Sequence, residues 1–123
     1  MTSLTMKTLV LGGSTHPYRY SFQAINLLRR YKHEVLAVGR DLGMVGDVEV
    51  KPSFPTNEKI DTITMYLNPT HQKQYYEPII AAKPRRIIFN PGAENDELAA
   101  LAQKNGIKTE EACTLVLLNT GQY

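Results

Sequence analysis

Short apolar runs alternate with amphipathic stretches along this chain, and each run stops at a cluster of Gly, Pro, Asn or Ser. Thr8 to Leu11 is apolar and enters Gly12-Gly13, the pattern of a buried strand. Ser21 to Lys32 places Ala24, Leu27, Leu28 and Tyr31 at i, i+3, i+4, i+7, one apolar stripe that predicts a helix. Glu34 to Val38 reads as a second strand. Gly39, Gly43 and Gly46 then predict a flexible, turn-rich stretch. Val48 to Lys51 is a short extended piece, closed by Pro52 and Pro55.

The second half repeats the style. Thr62 to Leu67 alternates and ends at Asn68-Pro69, a strand followed by a turn. Thr70 to Ala82 reads as a helix with Tyr75, Tyr76 and Ile79 on one face, kinked or split at Pro78. Arg86 to Phe89 is a further buried strand, stopped by Asn90-Pro91-Gly92. Asn95 is placed to cap the next helix, with Asp96 and Glu97 in its first turn, where the helix dipole favours acids. That helix runs through Leu98, Leu101 and Ala102 to a stop at Asn105-Gly106. Ile107 to Thr109 is a last short strand, and the apolar tail Ala112 to Leu118 must pack back on the body.

Strands alternating with helices predict βαβ units and a parallel sheet covered on both faces. The expected fold class is therefore α/β: a Rossmann-like, three-layer, doubly wound and mainly parallel sheet, with residues 1–123 as a single domain. Such sheets bind ligands beyond the carboxyl ends of their strands, near the point where the strand order reverses. Those ends are Gly12, Gly39, Asn68 and Asn90, and each opens a loop rich in turn residues.

Composition narrows the partners. The 123 residues suffice for one core, with 42% apolar and 21% charged residues, as in ordinary globular proteins. No apolar run approaches the roughly 18 residues of a membrane helix. Met1 to Lys7 has no signal-like apolar stretch, so a cytoplasmic location is expected. Cys113 is the single cysteine, which excludes an internal disulfide. His16, His33 and His71 are scattered without metal-ligand spacing, and no metal is expected. The net charge of +2 comes with short basic pairs, Arg29-Arg30 and Arg85-Arg86, separated by acids. That suits a small polyanionic ligand and does not suit nucleic acid.

The chemistry is concentrated between Gly12 and Ser21. The glycines let the backbone turn tightly and approach a ligand closely. A helix beginning near Ser21 offers free N–H groups and the positive end of its dipole to a phosphate. Ser14, Thr15 and Ser21 add hydroxyls, and Arg19 adds a permanent charge. The loop is neither G-x-G-x-x-G nor a P-loop. The second strand ends in Val38-Gly39-Arg40, where Arg suits a ribose phosphate, as on coenzyme A or NADP; Asp41, one residue on, is the acid a free ribose would want.

The run Gly12-Gly13-Ser14-Thr15-His16-Pro17-Tyr18-Arg19-Tyr20-Ser21 resembles the small stand-alone CoA-binding domain proteins, themselves similar to the CoA-binding half of the succinyl-CoA synthetase α subunit. The likeness extends over most of the chain. It implies that Gly13, Ser14 and Thr15 face the diphosphate and that Arg19 and Ser21 complete that pocket. It implies also that Gly39 and Arg40 lie beside the adenosine and its phosphate, and that Asn68 and Pro69 flank the adenine or the start of the pantetheine. Two segments depart from the family pattern: Val38-Gly39-Arg40 replaces V-N-P, and Phe89-Asn90-Pro91 stands where Trp-x-Gln is common.

The implied ligand is coenzyme A or an acyl-CoA, bound without catalysis. The phosphorylated histidine of the synthetase comes from a second domain. Glu94 and Asp96 read as helix-start residues, and nothing near Cys113 in sequence activates its thiol. Two alternatives stand beside this reading. One is an NADP-binding oxidoreductase-like domain, and the other is a Rossmann-like interaction module without a ligand. Tyr75 and Tyr76 suit either a homo-oligomer face or the core.

Overall fold

The computed structural model describes residues 6–123, so the expectation about the first residues lies largely outside it. Seven strands form one sheet: β1 (Lys7–Leu11), β2 (Glu34–Val38), β3 (Gly43–Val45), β4 (Val48–Lys51), β5 (Ile60–Met65), β6 (Arg86–Phe89) and β7 (Lys108–Glu111). Their order is β3-β4-β2-β1-β5-β6-β7, and every pairing is parallel except β3 with β4. Five helices cover the sheet: α1 (Tyr20–Arg30), α2 (Pro69–Gln72), α3 (Tyr76–Ala82), α4 (Asp96–Lys104) and α5 (Thr114–Asn119). The expected Rossmann-like α/β fold is therefore present.

Two cores make the three layers. Alternate residues of a strand face opposite sides, and β1 shows it: Leu9 and Leu11 join one core, Val10 the other. Ile79 of α3 and Leu98 and Ala102 of α4 close the first. Ile25 and Leu28 of α1 and Leu118 of α5 close the second, which bears out the packing of the apolar tail. Burying a side chain of this size stabilises the fold by about 1.5–3 kcal/mol. Because β1 pairs with both β2 and β5, the chain winds outward in both directions from it. The crevice beyond the ends of β1, β2 and β5 is the switch point.

Several local expectations are corrected. Helix α1 begins at Tyr20, with Arg19 in the capping position. Its buried stripe is Ser21, Ala24, Ile25 and Leu28, whereas Tyr31 lies past the last turn and is exposed. The stretch from Gly39 to Gly46 is ordered as a hairpin: Val45 faces Val48 across a two-residue turn that starts at Gly46 with φ +60°, as a type II′ turn requires. Strand β5 starts earlier and stops at Met65, so Tyr66 and Leu67 leave the sheet. The helical stretch after Asn68 breaks at a 3₁₀ turn, Lys73–Tyr75, and does not kink at Pro78. Pro78 is the third residue of α3, where its missing N–H would have no intrahelical acceptor. Tyr75 and Tyr76 pack against the first core, so the core role applies to both. Among the described residues, no helix is long and apolar enough to cross a membrane.

Candidate functional site

The end of β1 is clamped onto the end of β2. The amides of Gly12 and Gly13 both donate to the Val38 carbonyl, at 2.8 and 2.9 Å. Gly12 has φ +98°, and a Cβ there would lie 3.0 Å from the Leu67 amide nitrogen. A Cβ on Gly39 would lie 2.0 Å from the Gly13 carbonyl oxygen. Both positions therefore need glycine for backbone against backbone. The amides of Gly12 and Gly13 are occupied by this clamp. Those of Ser14 and Thr15 have no acceptor among the described residues.

Beyond the clamp the chain turns into α1. Arg19 donates its amide to the His16 carbonyl and supplies no side-chain cap. The amides of Tyr20, Ser21 and Phe22 have no acceptor among the described residues, and the first turn holds no acid. An 11-residue helix thus presents uncapped N–H groups and the positive end of its dipole.

That helix start opens on a cleft of about 660 Å³, within the usual range for small-molecule sites. Of the residues singled out in the sequence, Gly12, Gly13, Ser14, Arg19, Ser21, Gly39, Arg40 and Asn68 line it, and Thr15, Pro17 and Pro69 do not. The Thr15 methyl points at Gly43. Pro17 is an exposed turn residue, and Pro69 is the first residue of α2. Asn68 accepts a hydrogen bond from the His71 amide with its side chain, so its carbonyl oxygen caps α2. His71, Gln74 and Tyr75 complete that wall. None of them carries a sequence signal, because their place depends on the 3₁₀ break.

The cations divide into two groups. Arg29 is paired with Asp47 and Arg85 with Asp61. Arg86 lies 4.5 Å from the centre of the Tyr123 ring and 3.6 Å from Glu110. Among the described residues, no carboxylate lies within ion-pair distance of Arg19 or Arg40, the two arginines of the cleft. Among the described residues, the only acid in the cleft wall is Asp41. Its carboxylate accepts a hydrogen bond of 3.0 Å from the Ser14 hydroxyl and lies 3.4 Å from His16 Nε2. Ser14 in turn accepts the His16 amide. Sequence reasoning noted Asp41 as a possible ribose partner but could not see its contact with a residue 27 positions away.

The strand ends of β5 and β6 are closed by structure. Asn90 donates to Thr64 Oγ1 and to the Met65 carbonyl, and accepts the Thr114 amide. It is fully buried with both side-chain amide protons used, so it has no donor left for a ligand, whereas Pro91 beside it lines the cleft. Burial pushes the Tyr66 phenol above its ordinary pKa. Glu94 accepts the Gly92 amide, and Asp96 stands in the first turn of α4, as helix-start residues do. Cys113 precedes α5 and is not part of the cleft wall. Among the described residues, no group of His, Cys, Asp and Glu is arranged to hold a metal ion.

The family model described as CoA binding domain matches residues 6–119. No curated protein matches the chain. A crystal structure of an uncharacterized protein is similar to it at 40% identity and a TM-score of 0.92, covering 98% of this chain and 100% of the other. A hypothetical protein from Pyrococcus horikoshii OT3 shares 19% identity at a TM-score of 0.85, over 94% of this chain and 83% of that one. A Thermus thermophilus protein shares 19% identity at a TM-score of 0.82, over 97% and 91%. The last two likenesses concern the fold alone.

Proposed function

The chain belongs to the CoA-binding domain family, and from that premise we propose that it binds coenzyme A or an acyl-CoA with the diphosphate on the first βα loop, and that binding is its whole contribution, without catalysis of its own. The observation that carries this reading is the uncapped start of α1. Its free amides, those of Ser14 and Thr15, and the unpaired Arg19 share one opening. Backbone N–H groups and a helix N-terminus suit a phosphate without further side chains. The charge of Arg19 strengthens such hydrogen bonds. The arm of the ligand beyond the diphosphate follows the wall of Asn68, His71 and Tyr75, which ends near Pro91.

The composition of the cleft wall supports the non-catalytic role. Its titratable groups are Arg19, Tyr20, Arg40, Asp41, Tyr66, His71 and Tyr75. Asp41 is held by Ser14, and His71 has no side-chain partner among the described residues. The Ser14 hydroxyl that bonds Asp41 is buried and also accepts the His16 amide, so it holds the loop in shape and is not presented as the free nucleophile that covalent catalysis needs.

Thermal unfolding with and without coenzyme A tests the proposal. At 100 times its dissociation constant, a ligand that binds only the folded chain stabilises it by about 2.7 kcal/mol. A clear rise in Tm is expected with coenzyme A. No rise at millimolar coenzyme A or acetyl-CoA would remove the reading.

A further inference from the structure

Among the described residues, Asp41 is the one acid in the wall of a cleft that otherwise carries free arginines and free amides. Its place is fixed by the backbone. The amides of Gly12 and Gly13 bond the Val38 carbonyl and Gly39 lies against the Gly13 carbonyl, so the residues just after β2 sit beside the first loop. From there the Asp41 carboxylate reaches the buried hydroxyl of Ser14, at 3.0 Å. The neighbouring Arg40 is exposed and has no carboxylate partner among the described residues.

In doubly wound sheets, the gap between the first loop and the end of the second strand holds the nucleotide's ribose. An acid there accepts free ribose hydroxyls, while an arginine accommodates a ribose phosphate. This chain has both residue types side by side, and the structure ranks them. The acid is half-exposed but tied to the first loop by the Ser14 hydroxyl, with His16 Nε2 3.4 Å away, and the arginine is exposed with no such tie. We propose that Asp41 is a specificity-determining residue that selects an adenine nucleotide with free ribose hydroxyls, so that the site takes dephospho-CoA in preference to coenzyme A. The inference rests on the CoA-type reading above and narrows its ligand. A 3′-phosphate would bring a second anion against a carboxylate already held in place. A free 3′-hydroxyl would donate to that carboxylate, with Ser14 as the second contact.

Coenzyme A and dephospho-CoA share the diphosphate and the pantetheine arm and differ only in the 3′-phosphate. Isothermal titration of both, at one pH and salt concentration, reads the preference directly. Dephospho-CoA binds the wild-type protein about tenfold tighter or more, the size expected for like charges meeting near a protein surface. In Asp41→Asn, and in Asp41→Ala as a second variant, the ratio falls to about one or inverts in favour of coenzyme A, because the repelling carboxylate is gone while Arg40 stays in the cleft wall. Arg40→Ala weakens coenzyme A at least as much as dephospho-CoA, so the preference for dephospho-CoA persists or widens. Equal or tighter binding of coenzyme A by the wild type overturns the inference and leaves the CoA-type reading standing. So does a preference that survives both Asp41 variants. If neither nucleotide binds, the CoA-type reading fails and this inference fails with it.

Discussion

Helices α1 and α4 both follow a strand of the same parallel sheet, and their N-termini are treated in opposite ways. At α4, Asn95 accepts the Leu98 amide, and Asp96 and Glu97 fill the first turn. The cap itself is anchored: its amide group donates to Gln72 and to the Tyr76 hydroxyl, and Gln72 is fully buried. At α1 the cap position holds Arg19, with no side-chain bond and no acid in the first turn. The difference separates a helix end closed by the protein's own side chains from one left open to the cleft. A helix N-terminus presents unsatisfied donors and partial positive charge. The protein satisfies both at α4 from its own side chains and leaves both open at α1, where the cleft begins.

The comparison breaks most severely if the clamp beneath the α1 loop is broken. Gly39→Ala drives a Cβ to 2.0 Å from the Gly13 carbonyl oxygen, and neither partner is a flexible side chain. We expect a loss of about 3 kcal/mol in urea unfolding, with coenzyme A binding abolished. Asn95→Ala attacks the other helix. It removes the cap of α4 and strands the Gln72 side-chain oxygen, so about 2 kcal/mol of stability is lost. Titration of the protein that remains folded then gives unchanged coenzyme A affinity. A change as large as that of an α1 variant would show that the two helix ends are not separate in function.

The smaller effects separate charge from fold. Arg19→Ala weakens coenzyme A about tenfold, since a charge-assisted contact to phosphate is lost. Its stability stays within about 0.5 kcal/mol, because Arg19 is exposed and unpaired. Tyr20→Glu gives α1 the acid that α4 already has. Tyr20 is 70% exposed, so the substitution disturbs no packing. Stability rises by about 0.5 kcal/mol from the dipole while coenzyme A affinity falls. Opposite signs in the two measurements are the expected signature of a helix end reserved for an anion. A fall in both would point to lost packing.

Much of this contrast was legible in the sequence, though unevenly. Asn95 followed by Asp96 and Glu97 announces a capped helix because the cap is local, three residues from the amide that donates to it. The open end of α1 was placed at Ser21, since Ser is a good cap and its hydroxyl suits a phosphate. The structure starts the helix one residue earlier and leaves Ser21 buried at the floor of its first turn, in the cleft wall. The strands β1, β2 and β6 are readable because, after a charged first residue, burial towards their carboxyl ends makes them largely apolar on both faces. Strand β7, Lys-Thr-Glu-Glu at the sheet edge, was caught only at its start. Its pairing with β6, not its hydrophobicity, makes it a strand. Gly39 was flagged for a ligand, yet its lack of a side chain is needed by the Gly13 carbonyl, a contact between distant positions. The same holds for Asp41 on Ser14. Both depend on the register of β1 against β2, which no local pattern reveals.

The claim that α1 is the open anion site is tested most directly by mapping amide chemical shifts in two-dimensional ¹H–¹⁵N NMR spectra during titration with coenzyme A. The account predicts that the largest shifts fall on Ser14, Thr15 and the first-turn amides Tyr20, Ser21 and Phe22, with Asp96, Glu97 and Leu98 at the start of α4 unmoved. Largest shifts at the start of α4, or a titration that leaves the α1 amides unchanged, would contradict it.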